Sequence, residues 1–236
     1  MKKSLYAQHS ETYEAFLAFE QNAYKEKIDY IEENFFMLRE LDADEYFDMM
    51  VLYAEALFET GEYSRQAKLA DHILEMSIER NIVIHRGEDV YFETLFKKAA
   101  SLHNLEKVDQ AVHILKELLK INPDHESTKL FLINCIIRQK KSTIRPYRNI
   151  SLMLLLASAL VIAFELLFVR SLWPGWTTVI EIIRNGLFIC GVILLITGEV
   201  MVRYKAVEDV YSFSKFTKKR KDEVRIREEK GNNSKR

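Results

Sequence analysis

Two apolar stretches near the C-terminus, Ile150 to Val169 and Val179 to Val202, are separated by little more than the turn Arg170-Ser171-Leu172-Trp173-Pro174-Gly175-Trp176. At 1.5 Å rise per residue the first makes about 30 Å of helix, the thickness of a bilayer's hydrocarbon core. A soluble fold could hide two such helices only inside a large apolar core, and the rest of the chain is too charged to supply one. The pattern predicts two membrane-spanning helices.

Basic residues orient them. Arg138, Lys140, Lys141, Arg145 and Arg148 precede the first span, and Arg203, Lys205, Lys215, Lys218, Lys219, Arg220 and Lys221 follow the second, against only Arg170 and Arg184 on the turn side. The bias predicts a two-pass protein of the cell membrane with both termini cytoplasmic and with Trp173 and Trp176 at the outer headgroup level. Met1-Lys2-Lys3 is followed by Ser-Leu-Tyr-Ala-Gln-His-Ser-Glu and not by an apolar run, which argues against a cleavable signal peptide. Cys135 and Cys190 fall on a cytoplasmic helix and in mid-membrane, so a disulfide between them is not expected.

Overall charge is −1, but it is distributed unevenly: residues 1–137 carry 26 Asp+Glu against 15 Lys+Arg, and residues 203–236 carry 12 basic against 6 acidic. The acidic head reads as helix throughout. Apolar residues recur at three and four, as in Phe16, Phe19, Tyr24, Ile28, Ile31, Phe35 and Leu38. Gly61, Gly87 and Pro123 each stand where a helical pattern stops, and Ile82-Val83-Ile84 is too short a β-branched run to displace an all-helical reading. Asp42, Asp44, Glu45 and Asp48 read as a helix boundary and solvated first-turn charges.

From Phe92 to Asp124 the head reads FETLFKKAASLHNLEKVDQAVHILKELLKINPD, a helix, a turn at Asn104-Leu105-Glu106-Lys107, and a second helix carrying Ala111, Leu115, Leu118 and Leu119 before Pro123. This resembles the tetratricopeptide repeat (TPR), with Leu105 or Glu106 where that family places its turn glycine. An earlier unit, Met50 to Arg80, resembles it through Ala54, Ala56, Gly61-Glu62-Tyr63, Ala67, Ala70 and Leu74, but lacks the closing proline and is followed by an insertion at about Asn81 to Asp89. Residues 125 to 138 supply a third first-helix, and residues 10 to 40 another helix pair without the motif.

To the basic linker (139–148), transmembrane hairpin (149–202) and basic cytoplasmic tail (203–236) read from hydropathy and charge, the resemblance adds an all-α, TPR-like α-solenoid head over 1–138. It also implies a concave groove for a protein partner, lined by Val51, Glu55, Phe58 and Glu59, then Phe96, Ala100 and His103, then Lys129 and Ile133. The Lys/Asn pairs that clamp a C-terminal carboxylate in this family are absent there. An acidic, aromatic groove suits a basic or amphipathic segment.

No Gly-rich phosphate loop, Cys-x-x-Cys, His-Glu-x-x-His or Gly-x-Ser-x-Gly occurs, and His9, His72, His85, His103, His113 and His125 are scattered. No enzymatic activity, cofactor or metal is expected. Glu165, Arg170, Glu181 and Arg184 gather near the outer membrane interface as a mutually paired cluster. Ala159 and Ala163 on one span, and Gly186, Cys190, Gly191 and Gly198 on the other, offer small surfaces for helix contact. Lys218, Lys219, Arg220 and Lys221 in the tail read as a contact for anionic membrane lipid and not for nucleic acid. The expected role is that of a membrane-anchored scaffold or adaptor for a partner protein. The alternative is a small subunit of a membrane transport, secretion or envelope-assembly complex, with the hairpin as its working part.

Overall fold

A computed structural model describes residues 10–169 and 177–233. The chain divides into two compact units, Met1–Asn122 and Pro123–Arg236.

The first unit is built from helix pairs. After α1 (Glu11–Leu17), α2 (Tyr24–Glu33) and a 3-10 turn at Met37–Glu40 come α3 (Ala43–Glu59) with α4 (Tyr63–Glu79), then α5 (Val90–Asn104) with α6 (Val108–Ile121). Asp42 caps α3 through the Asp44 backbone N–H, and Asp89 caps α5 through that of Phe92. The C-termini of α3, α4 and α5 are closed by one repeated device. At the end of α3 the Glu62 N–H reaches the Leu57 carbonyl at 2.8 Å and the Gly61 N–H that of Phe58 at 3.1 Å. At the end of α5, Lys107 reaches Leu102 at 2.9 Å and Glu106 reaches His103 at 3.1 Å. Both are Schellman closures, which need a left-handed residue: Gly61 takes φ +84° and Glu106 takes φ +61°. The closure at Asn81 (φ +54°) ends α4 in the same way. Asparagine enters that region readily; glutamate does not, so the second pair makes the same turn as the first without a glycine.

Phe16, Ile31, Leu38, Phe47, Met49 and Ile73 form the centre of this unit's core. In the second pair Ala99, Ala111, Leu115, Leu118 and Leu119 are all fully buried. The expected insertion is a β-hairpin, Ile84–His85 with Glu88–Asp89, the one departure from helix among the described residues. Its turn residues Arg86 and Gly87 both have positive φ, the geometry a two-residue hairpin demands. Asn-Gly is the usual signal for such a turn; Arg-Gly carries half of it, which is why the all-helical reading missed the hairpin.

The second unit holds α7 (Glu126–Gln139), α8 (Lys141–Phe164), a π-helical turn (Glu165–Val169) and α9 (Thr177–Asn233). Two helices here are long and apolar enough to cross a membrane, and only 17% and 6% of their apolar windows are buried by the rest of the chain, unlike the core helices of a soluble fold. Leu152, Met153, Leu156, Leu160 and Leu167 of the first, and Ile182, Phe188, Ile193 and Ile196 of the second, are exposed.

The seam between α8 and α9 uses Ser151, Ser158 and Glu165, seven residues apart and all buried. Ser151 donates to the Gly191 carbonyl at 2.7 Å, and a side chain at Gly191 would press on Leu155 at 3.2 Å. Ala159, Ala163, Gly186 and Cys190 are exposed, Gly198 is half-buried, and Gly191 is at close contact. The heptad spacing of the serines, not the Ala-x-x-x-Ala pattern, marks the packed face.

Beyond the apolar span α9 does not end. It continues as one helix to Asn233, and this extension packs antiparallel on α7: Lys140 binds Asp209 at 3.0 Å, Ser214 donates to the Pro123 carbonyl at 2.7 Å, and Lys218 binds Asp124 at 2.8 Å. Ala206, Val210 and Ser214, at four-residue spacing, are the buried face. The expected third first-helix thus finds its second helix after the hairpin.

Candidate interaction groove

The expected groove residues of the first unit lie on the first helices of two successive pairs. Val51, Glu55 and Phe58 on α3 and Phe96, Ala100 and His103 on α5 are half-buried, and Glu59 is exposed. Val51 and Glu55 line a cavity of about 60 Å³ whose other walls are Ala54, Gln66, Ile73, His85, Glu88, Val90, Glu93, Thr94 and Lys97. Glu55 also borders a larger cavity of about 260 Å³ with Phe16, Leu17, Phe19, Gln21, Tyr24, Lys27, Leu52 and Arg86. Phe58, Glu59, Phe96, Ala100 and His103 border neither; Phe58 instead packs edge-on to Tyr63 at 5.7 Å, beside the turn. Lys27 is already engaged, donating to the Gln21 carbonyl at 2.8 Å.

The hairpin completes this face. Asp48 on α3, read from sequence as a solvated charge, is buried; so is Glu45, which accepts the Ser10 backbone N–H at 3.0 Å. The Arg86 guanidinium meets both Asp48 oxygens at 2.7 and 2.6 Å, His85 Nε2 lies 2.7 Å from Oδ1, and the Tyr13 hydroxyl donates to Oδ2 at 2.8 Å. A forked guanidinium on a carboxylate fixes orientation as well as charge. Burial, reinforced by the Asp48 bond and charge, pushes the Tyr13 hydroxyl up to about 12. The network holds the hairpin to α3 and so sets His85 and Glu88 in the cavity wall. No sequence motif announces it, because its members are separated by more than thirty residues.

Of the cluster expected from sequence, Glu165 and Arg184 are brought together at 2.7 Å, with Glu165 fully buried. Ser158 approaches the Arg184 carbonyl at 3.4 Å. Glu181 is half-buried on the same helix, and Arg170 lies outside the described residues, as do Trp173 and Trp176. Glu199 and Arg203 make the helical pair their spacing allows, at 3.4 Å.

In the tail, Lys218 donates to Asp124, which holds that carboxyl below its usual range and raises the lysine. Arg220 sits over the Phe216 ring at 5.2 Å, and Lys219 and Lys221 are exposed. Cys135 is buried and its thiol is pushed up to about 11 by that burial; Cys190 is exposed and unpaired with it.

No protein-family model matches the chain, and no curated protein is significantly similar to it. Among solved structures it is similar to a Podosopora anserina protein assigned to the kinesin light chains, described by its nearly identical TPR-like repeats, at 13% identity and a TM-score of 0.43 over 88% of this chain and 95% of that one. A likeness at that level fixes neither a superposition nor a function; the helix pairs and their repeated closures carry the fold.

Proposed function

We propose that the chain is a membrane-anchored TPR-like scaffold that holds a partner protein, through a basic or amphipathic segment, at the cytoplasmic face of the membrane. The observation that carries this reading is the half-buried α3/α5 face. Its Val51 and Glu55 border a cavity, Glu55 borders a second, and the same chain bears two apolar helices left largely uncovered. Carboxylates on a partly apolar face favour a cationic, amphipathic segment by charge complementarity, with affinity that falls as salt screens it. The double change Glu55→Lys with Glu59→Lys in the full chain should abolish partner capture from native membranes while leaving helical content and membrane insertion intact. Retention of the full set of co-purifying proteins would exclude this face.

Orientation is part of the proposal and rests on the basic bias of the flanks. With native Cys190 replaced, Ser171→Cys should react with an impermeant thiol reagent applied to intact cells and Ser234→Cys should not. Labelling at Ser234→Cys alone would invert the topology.

A second reading, in which the hairpin is the working part of a transport, secretion or assembly complex, is favoured by the buried Glu165 carboxylate paired with the partly buried Arg184 inside an apolar segment. Under it, Glu165→Gln leaves partner capture intact and removes the complex's activity.

A further inference from the structure

The larger cavity of the first unit holds a charge that its surroundings do not balance. Lys27, in the first turn of α2, is only 7% exposed, and no carboxylate among the described residues pairs with it. Two lining groups set its ammonium in the cavity wall: the Gln21 carbonyl, which accepts from Nζ at 2.8 Å, and the Tyr24 ring, whose centroid lies 6.0 Å away. Together they use one donor of three and supply no formal negative charge. A lysine this deep calls for an anion, because a buried charge is costly unless it is paired. The other ionic groups of the lining are matched elsewhere: Arg86 forks onto Asp48, and Glu55 stands 3.9 Å from Lys97. One positive charge therefore remains over. The other walls are mostly apolar, Phe16, Phe19 and Leu52 among them, around a space of about 260 Å³. A cavity of about 150 Å³ already accommodates benzene, so this one has room for a ring and a short polar arm.

We infer that this cavity binds a small monocarboxylate with a compact apolar body, one aromatic ring in size. Its carboxylate accepts from Lys27 Nζ, and its ring lies against Phe16, Phe19 and Leu52. A monoanion balances the single unmatched ammonium, whereas a phosphate dianion would bring a second negative charge toward Glu55. The site is separate from the proposed partner face, with which it shares only Glu55, and it stands whether or not that face captures a protein. It also gives a common task to the two parts of the head that the repeat does not explain, the helix pair α1/α2 and the β-hairpin, since both wall the cavity.

Ligand-observed NMR titration of the full chain in zwitterionic nanodiscs tests this, with empty nanodiscs as the blank. The probes are 3-phenylpropanoate, its neutral isostere 3-phenylpropanamide, and acetate, which carries the anion without the ring. 3-Phenylpropanoate should bind with a Kd of about 1 mM or tighter and at least about tenfold more tightly than the amide, and acetate should bind far more weakly than either. Lys27→Met keeps the length of the stem and removes the charge; it should bring acid and amide to equal affinity while leaving helical content intact. Leu17→Glu, at the exposed rim, sets a carboxylate at the mouth and should weaken the acid several-fold without weakening the amide. Equal affinity for acid and amide in the unmodified chain, or no binding of the acid by about 10 mM, overturns the site. So does acetate binding as tightly as the acid, which would leave an anion contact with no cavity behind it. A preference for the acid that survives Lys27→Met overturns it as well, and Leu17→Glu decides in the same way if the first variant does not fold.

Discussion

The pair α5/α6 and the pair of α7 with the α9 extension meet the same requirement, an apolar helix face that must be covered, with very different lengths of chain between their members. In the first, only Leu105, Glu106 and Lys107 intervene, and the turn itself brings the helices together. In the second, α8, the turn and the apolar part of α9 separate Gln139 from Ala206. Closing a long loop costs only slightly more than a shorter one in a flexible chain. Here, moreover, the α8–α9 seam of Ser151, Ser158 and Gly191 returns the chain beside its starting point. The second pair thus depends on the hairpin being formed, and the first does not.

The largest expected effect tests that dependence. Val210 is 1% exposed on the face of the extension that meets α7. Val210→Asp buries a carboxylate among apolar groups at a cost of about 3 kcal/mol or more, roughly a hundredfold in the opening equilibrium. Amide hydrogen exchange over residues 203–220 should lose its protection by that factor, while α5/α6 keeps its own. Unchanged protection would mean that the extension is not held by α7. A head truncated before residue 149 likewise lacks the second helix of its third pair, so partner capture is better measured on the full chain.

Next in size is overpacking of the local pair. Ala111 is fully buried beneath α5/α6, and Ala111→Trp should destabilise the first unit by about 1–3 kcal/mol or more, read as a lowered melting temperature, with exchange over 203–220 unaltered. Indifference to this change would break the repeat alignment.

What could be read beforehand follows from how far each signal reaches along the chain. The helices of the head, Ala111 as a packing residue, and the apolar length of the spans are encoded within windows of a few turns, and the sequence showed them. The Asp48 network joins Tyr13, Asp48, His85 and Arg86 across more than thirty residues, so Asp48 looked like any first-turn acid. The α9 extension was legible as a basic tail but not as a helix on α7, because its buried stripe is only Ala206, Val210 and Ser214, too sparse to stand out as amphipathic.

The two local closures differ by one residue type, which gives a smaller and sharper test. Gly61→Ala should destabilise by about 1 kcal/mol, since a Cβ in the left-handed region is strained although the space around it is open. Glu106→Gly should stabilise by up to about 1 kcal/mol, because relief of that strain outweighs the added freedom of the unfolded chain. Opposite signs in paired melting curves confirm that both turns need the same conformation; equal signs separate the two repeats.

The smallest effects concern the basic end of α9. Lys218 and Asp124 are exposed, so their pairing adds little to the grip of the extension, and Lys218→Ala should leave exchange over 203–220 within error. The neighbouring Lys219, Arg220 and Lys221 bear on the proposed lipid contact. In a continuous helix Lys219 lies about 24 Å along the axis from Arg203, more than two screening lengths at physiological salt. If α9 leaves the membrane steeply, Arg203 and Lys205 feel the anionic headgroups and the distal cluster does not. Replacing Lys219, Arg220 and Lys221 together by alanine should then shift the salt dependence of association between full-chain nanodiscs and phosphatidylserine vesicles less than Lys205→Ala alone. A larger shift from the triple change would mean that the extension lies down on the bilayer, and its hold on α7 through Val210 would have to give way in the membrane-bound protein.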